Sequence, residues 1–461
     1  MSTFESFSSQ FKGDVVTPKD PTYQQALDRW AANTKRNAAI VAFVKDAEDV
    51  ALAIKYARQA GLRIAIRGGG HSTSGSSSSD GGLVIDLSRY LKEVKVDPET
   101  KLIRVQGGAI WKTVDAEAIK HGLAAVGGLV NHTGVGGLST GGGYGWLSGL
   151  HGLVIDNTVQ LTVVTADGSI LTANETENAD LFWGVRGGGS NFGVVTEFVF
   201  KLHPQRPEIF AGPLVFTPDK VEKVAAFLDD WWPRAKPEEG IAAAIMLGPD
   251  GSPLLMTFIF YNGSQEDGRQ AYKGLFDISP VMEQCGVLPY PSVNELPNPM
   301  SQWGRNYYFK GVLLSEKPSD DINPKNFDEV TKTLRSSPDH ISAVEFEYLP
   351  KTKINSVPAD SAPFRRDLQG NTLLVAQWQD DTPEKSRKAK EIVYALAKVL
   401  RTEGEGYGNY TSESDAAPTG GSVTTDRVKA MFREHYPRLQ DIKKKYDPDM
   451  VFNQWYTIIP A

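Results

Sequence analysis

An imidazole follows three consecutive glycines in the run Arg67-Gly-Gly-Gly-His-Ser72, directly after the apolar, strand-like segment that begins at Leu62. Successive glycine N–H groups without side-chain cover form an anion-binding nest, and that geometry suits a pyrophosphate. The run is no Walker loop, because no Gly-Lys-Ser/Thr follows. It is not the GxGxxG dinucleotide fingerprint either, because a serine-rich loop over 72–79 stands where a helix would open. Taken alone, the histidine reads either as a structural loop residue or as a reactive group beside the anion. Three more constellations accompany it. Gly134-Val-Gly-Gly-Leu-Ser-Thr-Gly-Gly-Gly-Tyr-Gly145 leads to His151-Gly-Leu-Val-Ile-Asp-Asn157. Trp183-Gly-Val-Arg-Gly-Gly-Gly-Ser-Asn-Phe-Gly-Val-Val-Thr196 is the third, and Tyr446-Asp-Pro-Asp-Met-Val-Phe-Asn453 the fourth. Residues 61–200 hold 27 of the 44 glycines, separated by apolar runs, so several loops are expected to converge on one large ligand.

The elements that must position these loops follow from periodicity. Residues 22–31 read as a first helix, 38–43 as a strand, 46–60 as an amphipathic helix stopped by Gly61, and 62–67 and 83–87 as strands. Hairpins are expected at 94–106 and 159–171, helices at 110–121 and 178–185 with Asn178 as cap, and a strand at 193–202. Gly134–Gly149 reads as a glycine-rich stretch. Near Pro204–Pro213 the composition changes and glycine thins out. From there, strands at 241–246, 254–261, 343–348 and 372–378 alternate with helices at 221–232 and 385–401. The predicted class is α+β, with the second unit an antiparallel sheet covered by helices on one face. Pro437 is placed to open a helix in the tail.

Composition narrows the function. A chain of 461 residues with 40% apolar and 23% charged residues has the make-up of a folded protein of about two domains. Its net charge of −7, with no basic patch, argues against nucleic acid and anionic lipid as partners. A single cysteine, Cys285, excludes an internal disulfide, a CxxC pair and a cysteine-rich zinc site, and no metal is expected. No apolar run reaches the ~18 residues that span a bilayer. The first residues lack the basic and apolar regions of a secretory leader, so the expected compartment is the cytoplasm, unless a leader has been removed. Oligomeric state is not legible.

Together the four motifs resemble the berberine-bridge-enzyme-like branch of the vanillyl-alcohol-oxidase flavoproteins. The resemblance covers 30–205 and 405–461 well and 340–380 loosely. It implies a PCMH-type FAD-binding domain in two pieces, 1–207 and 403–461, around a substrate domain at 208–402. His71 would bond covalently to the flavin 8α carbon, with Arg67, Gly68, Gly69, Gly70 and Ser72 wrapping the pyrophosphate. Gly134, Gly136, Gly137, Gly141, Gly142, Tyr144 and Gly145 would pass along the cofactor, with Asn157 bracing the loop. Val195 would contact the adenosine end, and Asn453 is counted with the cofactor contacts. Many members hold the flavin by a second bond from a cysteine in Cys-Pro-Thr-Val-Gly-x-Gly-Gly. Here the aligned run is Val130-Asn-His-Thr-Gly-Val-Gly-Gly137, so a single attachment at His71 is expected. His132 in that run reads equally as a polar loop residue or as a group near the flavin.

The resemblance implies an FAD-dependent oxidase that takes hydride from a small-molecule alcohol, amine or related substrate to flavin N5, with reoxidation by O2 to H2O2. With no leader seen, the expected substrate is an intracellular small molecule of secondary metabolism. Alternatives are a dehydrogenase with another acceptor, a carbohydrate oxidase or a flavin-dependent cyclase. Such oxidation needs a proton acceptor. Tyr410, in an Asn-Tyr setting resembling the family's, is the first candidate. A free tyrosine titrates near pH ~10, so it would need nearby positive charge or a strong hydrogen bond to act as a base. Gln377 shares a strand face with Leu373 and Val375 and reads as a substrate contact or a satisfied core amide. Glu345 and Glu347 share one face of 343–348, which is expected to meet solvent; if it meets the flavin, either becomes a candidate base. Tyr307 and Tyr308 alternate faces, so one of them lines the pocket, and Tyr308 is carried as a catalytic candidate.

Overall fold

The computed structural model describes residues 3–366, 370–401, 406–413 and 425–461. The domain boundary expected at 402–403 lies outside the described residues, as do Ser414 and Asp415 of the tail motif. The first sheet runs in the order Asp14–Val16, Ile40–Phe43, Leu83–Asp86, Ile64–Arg67, with the last three strands parallel. Ile40–Phe43 and Leu83–Asp86 are buried throughout, which is why they read as continuous apolar runs. Helix Ala47–Gln59 packs against this sheet through Val50, Ala53, Ile54 and Ala57, the i, i+3, i+4, i+7 stripe of an amphipathic helix. Its cap is Asp46, whose carboxylate accepts from the Asp49 N–H. The Ile64–Arg67 strand ends in the Gly68–Gly70 loop, so that loop opens at the carboxyl end of a parallel strand, where open α/β sheets bind ligands.

A second, antiparallel sheet has the order Val94–Asp97, Leu102–Gln106, Val194–Lys201, Thr158–Val164, Ile170–Asn174. The two predicted hairpins form its flanks, and the strand that follows the third glycine motif closes its middle.

The third sheet carries the substrate side. Glu208–Phe216, Pro253–Tyr261, Glu239–Leu247, His340–Tyr348, Asn371–Trp378 and Asn306–Leu313 lie side by side, all antiparallel, with two short strands beyond the first. One face is covered by Val221–Trp231, Pro324–Arg335 and Pro383–Val399. There Leu228, Trp231, Val330, Ile392 and Leu396 bury Val344, Phe346 and Leu374. The other face looks toward the glycine loops. Residues 407–412 return from the tail and pair with the edge strand Asn306–Leu313. Gly311 N–H donates to Tyr410 O at 2.6 Å and Ser412 N–H to Phe309 O at 3.0 Å.

Helix Tyr436–Tyr446 has Pro437 in its first turn, as predicted. Just beyond it, Asp447 accepts from the Val451 and Phe452 N–H groups and from Lys443 Nζ at 2.6 Å. Lys443 also donates to Asn191 O and Phe452 O, both at 2.7 Å. Both side chains are fully buried, so the fourth motif is a clamp that fastens the tail to the loop of the third.

Three expectations change. The helix expected at 22–31 is only Tyr23–Ala26, because the backbone beyond it is claimed by tertiary partners: Trp30 N–H donates to Gly70 O and Ala32 N–H to Arg305 O. Asn178 stands at the N-cap position, but with a left-handed φ of 47° its side chain makes no capping bond; its amide donates to Thr172 O instead. The stretch 134–145 contains a short helix, Val135–Thr140, which its glycine content concealed.

Candidate active site

A cavity of about 350 Å³ lies between the glycine loops and the open face of the third sheet. Its floor is backbone. Gly69 and Gly134 touch so closely that a Cβ on Gly69 would run into the Gly134 Cα, and a Cβ on Gly136 would stand 2.9 Å from Gly107 O. The loops can meet this way only without side chains. Gly68, Gly69, Gly70, Gly134, Gly136, Gly137 and Gly141 all line the cavity, and beyond its own helix and chain neighbours no described residue stands within 4 Å of where a Gly137 Cβ would be. Ser72 lines it together with Ser74, Ser76 and Ser77, and Ser77 Oγ is buried without a hydrogen-bond partner among the described residues. Ser72, Ser74 and Ser76 hydrogen-bond one another, so a backbone cradle with the unpartnered Ser77 hydroxyl is what fits the phosphates of a dinucleotide such as FAD. Val195 also lines the cavity.

Four predicted cofactor contacts sit elsewhere. Arg67 stands behind the loop, its guanidinium paired at 2.8 Å with the fully buried Asp86, so it braces the cradle. Gly142 and Gly145 are packing positions: a Cβ would collide with the Phe364 ring at the first and with Gly127 O at the second. Asn453 does not line the cavity, whereas Trp455, two residues on, does. Asn157 keeps the bracing role expected for it. Its amide donates to His151 O and Leu153 O at 2.9 and 2.8 Å, and its Oδ1 lies 2.7 Å from His203 Nε2.

His71 lies between two rings. Trp30 stacks on it at 4.0 Å between centroids, and Tyr307 stacks on the far side of Trp30 at 3.8 Å. His71 Nε2 lies 3.1 Å from His132 Nδ1. Burial, reinforced by His132, pushes the His71 pKa down to about 3, so the ring is neutral and keeps one nitrogen lone pair for bonding. Val130 lines the cavity at the position aligned with the family cysteine.

The face carrying Glu345 and Glu347 turns toward the cavity, not toward solvent as expected. Alternation alone cannot say which face of a strand is covered; the helices took the Phe346 face. Glu347 accepts from the Tyr410 hydroxyl at 2.7 Å and, on its other oxygen, from the Tyr144 hydroxyl in a short hydrogen bond. Burial lifts the Glu347 pKa to about 7, against the lowering pull of the two phenols, and lifts Glu345 to about 7 with repulsion from Glu347 added. Burial and the neighbouring Glu347 drive Tyr144 and Tyr410 well above 10. Tyr410 therefore lies at the site, but among the described residues no positive group lowers its pKa, and its strong hydrogen bond is donated to the Glu347 carboxylate, which favours the protonated phenol. Tyr407 completes the cluster, accepting from Gly143 N–H and from the Asn409 amide.

Gln377 lines the cavity with Leu373 and Val375. Tyr308 does not. It points to the helix-covered face, its hydroxyl 3.4 Å from Glu413 Oε1, and Tyr307 and Phe309 line the cavity in its place. Trp30, Tyr407, Asn409 and Trp455 were not foreseen, because each reaches the site through a fold-back that no local pattern announces.

Two family models match the chain: an FAD binding domain over residues 38–174, and a berberine and berberine-like segment over residues 406–456. The FAD-linked oxidoreductase pgmH of Aspergillus terreus is 30% identical over 99% of this chain and 96% of its own length. The (R)-6-hydroxynicotine oxidase of Paenarthrobacter nicotinovorans is 28% identical over 97% of each chain. Among solved structures, the 6-hydroxy-D-nicotine oxidase of Arthrobacter nicotinovorans superposes with a TM-score of 0.86 at 26% identity over 98% of both chains. Matched end to end by a relative at this identity, and carrying both family segments, the chain belongs to the berberine-bridge-enzyme-like FAD-linked oxidoreductases.

Proposed function

We propose that this protein is an FAD-linked oxidase of a small-molecule alcohol or amine, with O2 as final electron acceptor and H2O2 as product, serving secondary metabolism in the cytoplasm. Bound FAD would supply the hydride acceptor and the route to oxygen. The chain's own residues hold it and manage the proton. The glycine and serine loops around 68–77 and 134–141 receive the phosphates. His71, neutral and clamped between Trp30 and His132, offers the nitrogen for a single covalent attachment, since Val130 has no sulfur to give a second.

The observation that carries this reading is Glu347, a buried carboxyl in the cavity wall held by two phenols. Each of its oxygens accepts one phenolic hydrogen and retains a second lone pair, so the carboxylate can still take a proton from a substrate O–H or N–H. Its pKa near 7 places it where a general base works best. Tyr144 and Tyr410 orient it, and their own protons stay in place. Anaerobic mixing with a candidate substrate, followed by exposure to air, tests the reading. The flavin should bleach and then recover with release of H2O2. Recovery that requires an added quinone would assign a dehydrogenase instead.

A further inference from the structure

The cavity wall supplied by the third sheet is mostly apolar, with Gln377 and Ser342 among its few neutral polar side chains, and narrow in side-chain volume. Along Glu239–Leu247 it presents Ala242, Ala244 and Met246, and along His340–Tyr348 it presents Ile341 and Ala343. Register sets these in rows: Glu345 stands between Ala244 and Leu373, and Ala343 between Met246 and Val375. Of the described residues that line the cavity, only Glu345 and Glu347 are carboxylates, and none is Lys, Arg or Asp. Glu347 is engaged on both oxygens. Glu345 has neither a hydrogen bond nor an ion pair among the described residues. Its one electrostatic neighbour is Glu347, which repels it. The other titratable groups in the wall, His71, Tyr144, Tyr307, Tyr407 and Tyr410, are all uncharged near neutrality.

A carboxylate set into an apolar wall is costly unless an opposite charge meets it. We propose that Glu345 is the specificity-determining residue of this cavity, and that the substrate is a compact, largely apolar molecule whose protonated amine pairs with the Glu345 carboxylate. The inference rests on the oxidase reading and narrows it. Oligosaccharides fit poorly, because a wall of alanine, methionine and isoleucine with few neutral polar side chains such as Gln377 and Ser342 leaves most of their hydroxyls without partners. Carboxylate substrates are repelled by both glutamates. A neutral alcohol of the same shape fills the apolar slot but leaves Glu345 unpaired.

The test uses the holoprotein and a size series of cyclic amines with neutral isosteres, beginning with 2-phenylpyrrolidine and phenylcyclopentane. Binding is read from perturbation of the flavin absorption spectrum and from calorimetry. Each fitting amine should bind at least ~10-fold more tightly than its isostere, and Glu345→Gln should remove about 10- to 100-fold of that affinity, the worth of a hydrogen bond to a charged group. The same variant should leave the isostere's affinity unchanged and retain its flavin. If no amine in the series outbinds its isostere, or if Glu345→Gln weakens both members of a pair equally, the proposal is overturned. The two readings fail separately. Flavin bleached by cellobiose but by no amine sinks the amine assignment and leaves the oxidase. Amines that bind through Glu345 without ever bleaching the flavin sink the oxidase and leave the site.

Discussion

Tyr410 donates its phenolic hydrogen to Glu347 Oε1 across 2.7 Å, from a tail segment that pairs with the edge of the substrate sheet. The direction of that bond separates the two roles. A phenol that donates to a buried carboxylate is stabilised in its protonated form, and the carboxylate is stabilised in its ionised form. Tyr410→Phe should therefore leave flavin reduction measurable. Losing one donor raises the Glu347 pKa, so the pH at which the rate is half-maximal should move upward. A loss of about 10²-fold or more at every pH, the size expected when a general base is removed, would return the base role to Tyr410.

Glu347→Gln keeps the shape of the side chain and removes the proton acceptor. The rate of anaerobic flavin reduction should fall by about 10²–10⁴-fold, with flavin content and absorption spectrum preserved. Stopped-flow absorbance at saturating substrate measures it. A decline of less than about threefold, far below that range, would take the base out of this cluster.

The two raised carboxyl pKa values fix the sign of a pH dependence. Glu347 must be ionised to accept a proton, so flavin reduction should be slow well below about pH 7 and level off above it. Stability runs the other way. Glu345 and Glu347 hold protons in the folded protein at a pH where the unfolded chain has released them, so their contribution is complete below the unfolded value of about 4.5 and is lost as pH rises through about 7. Glu345→Gln should accordingly raise the melting temperature of flavin-free protein more at about pH 8 than at about pH 5. Equal shifts at both, measured by differential scanning fluorimetry, would mean that Glu345 is not protonated in the folded state.

Single attachment predicts a clean result. His71→Ala should release all flavin into the supernatant after acid precipitation, whereas the wild-type pellet should remain yellow and a peptide containing His71 should carry the flavin mass. Flavin retained covalently by the variant would reveal a second bond. His132→Ala, which leaves His71 Nε2 without its 3.1 Å partner, should slow incorporation of added FAD into flavin-free protein without preventing it.

Lys443 and Asp447 form a fully buried pair. Lys443→Met leaves the Asp447 charge uncompensated and three acceptors without their donor, and should cost about 3–5 kcal/mol of stability. Chemical denaturation measures it. A loss below about 1 kcal/mol, the range of a surface pair, would mean that the clamp contributes little.

Much of the cofactor cradle was legible because local rules write it. An apolar strand ending in Arg67-Gly-Gly-Gly-His-Ser72 specifies a backbone nest, and successive glycines mark the loops that approach closely. The strands of the third sheet were equally plain from alternation, and so was the pairing of Glu345 with Glu347 on one face. What alternation does not contain is which face a partner will cover. That depended on where Val221–Trp231, Pro324–Arg335 and Pro383–Val399 packed, and their choice of the Phe346 side turned the glutamates inward and sent Tyr308 away from the cavity. The glycines divide for the same reason. Gly137 and Gly142 are alike in sequence, yet one faces open space and the other the Phe364 ring, more than two hundred residues along the chain. Local sequence determined the strands, the loops and the chemical groups available. Only tertiary packing decided that Tyr144, Glu347 and Tyr410, from three distant segments, meet within hydrogen-bonding distance, because burial and long-range contact set the protonation of each and no single segment carries that information.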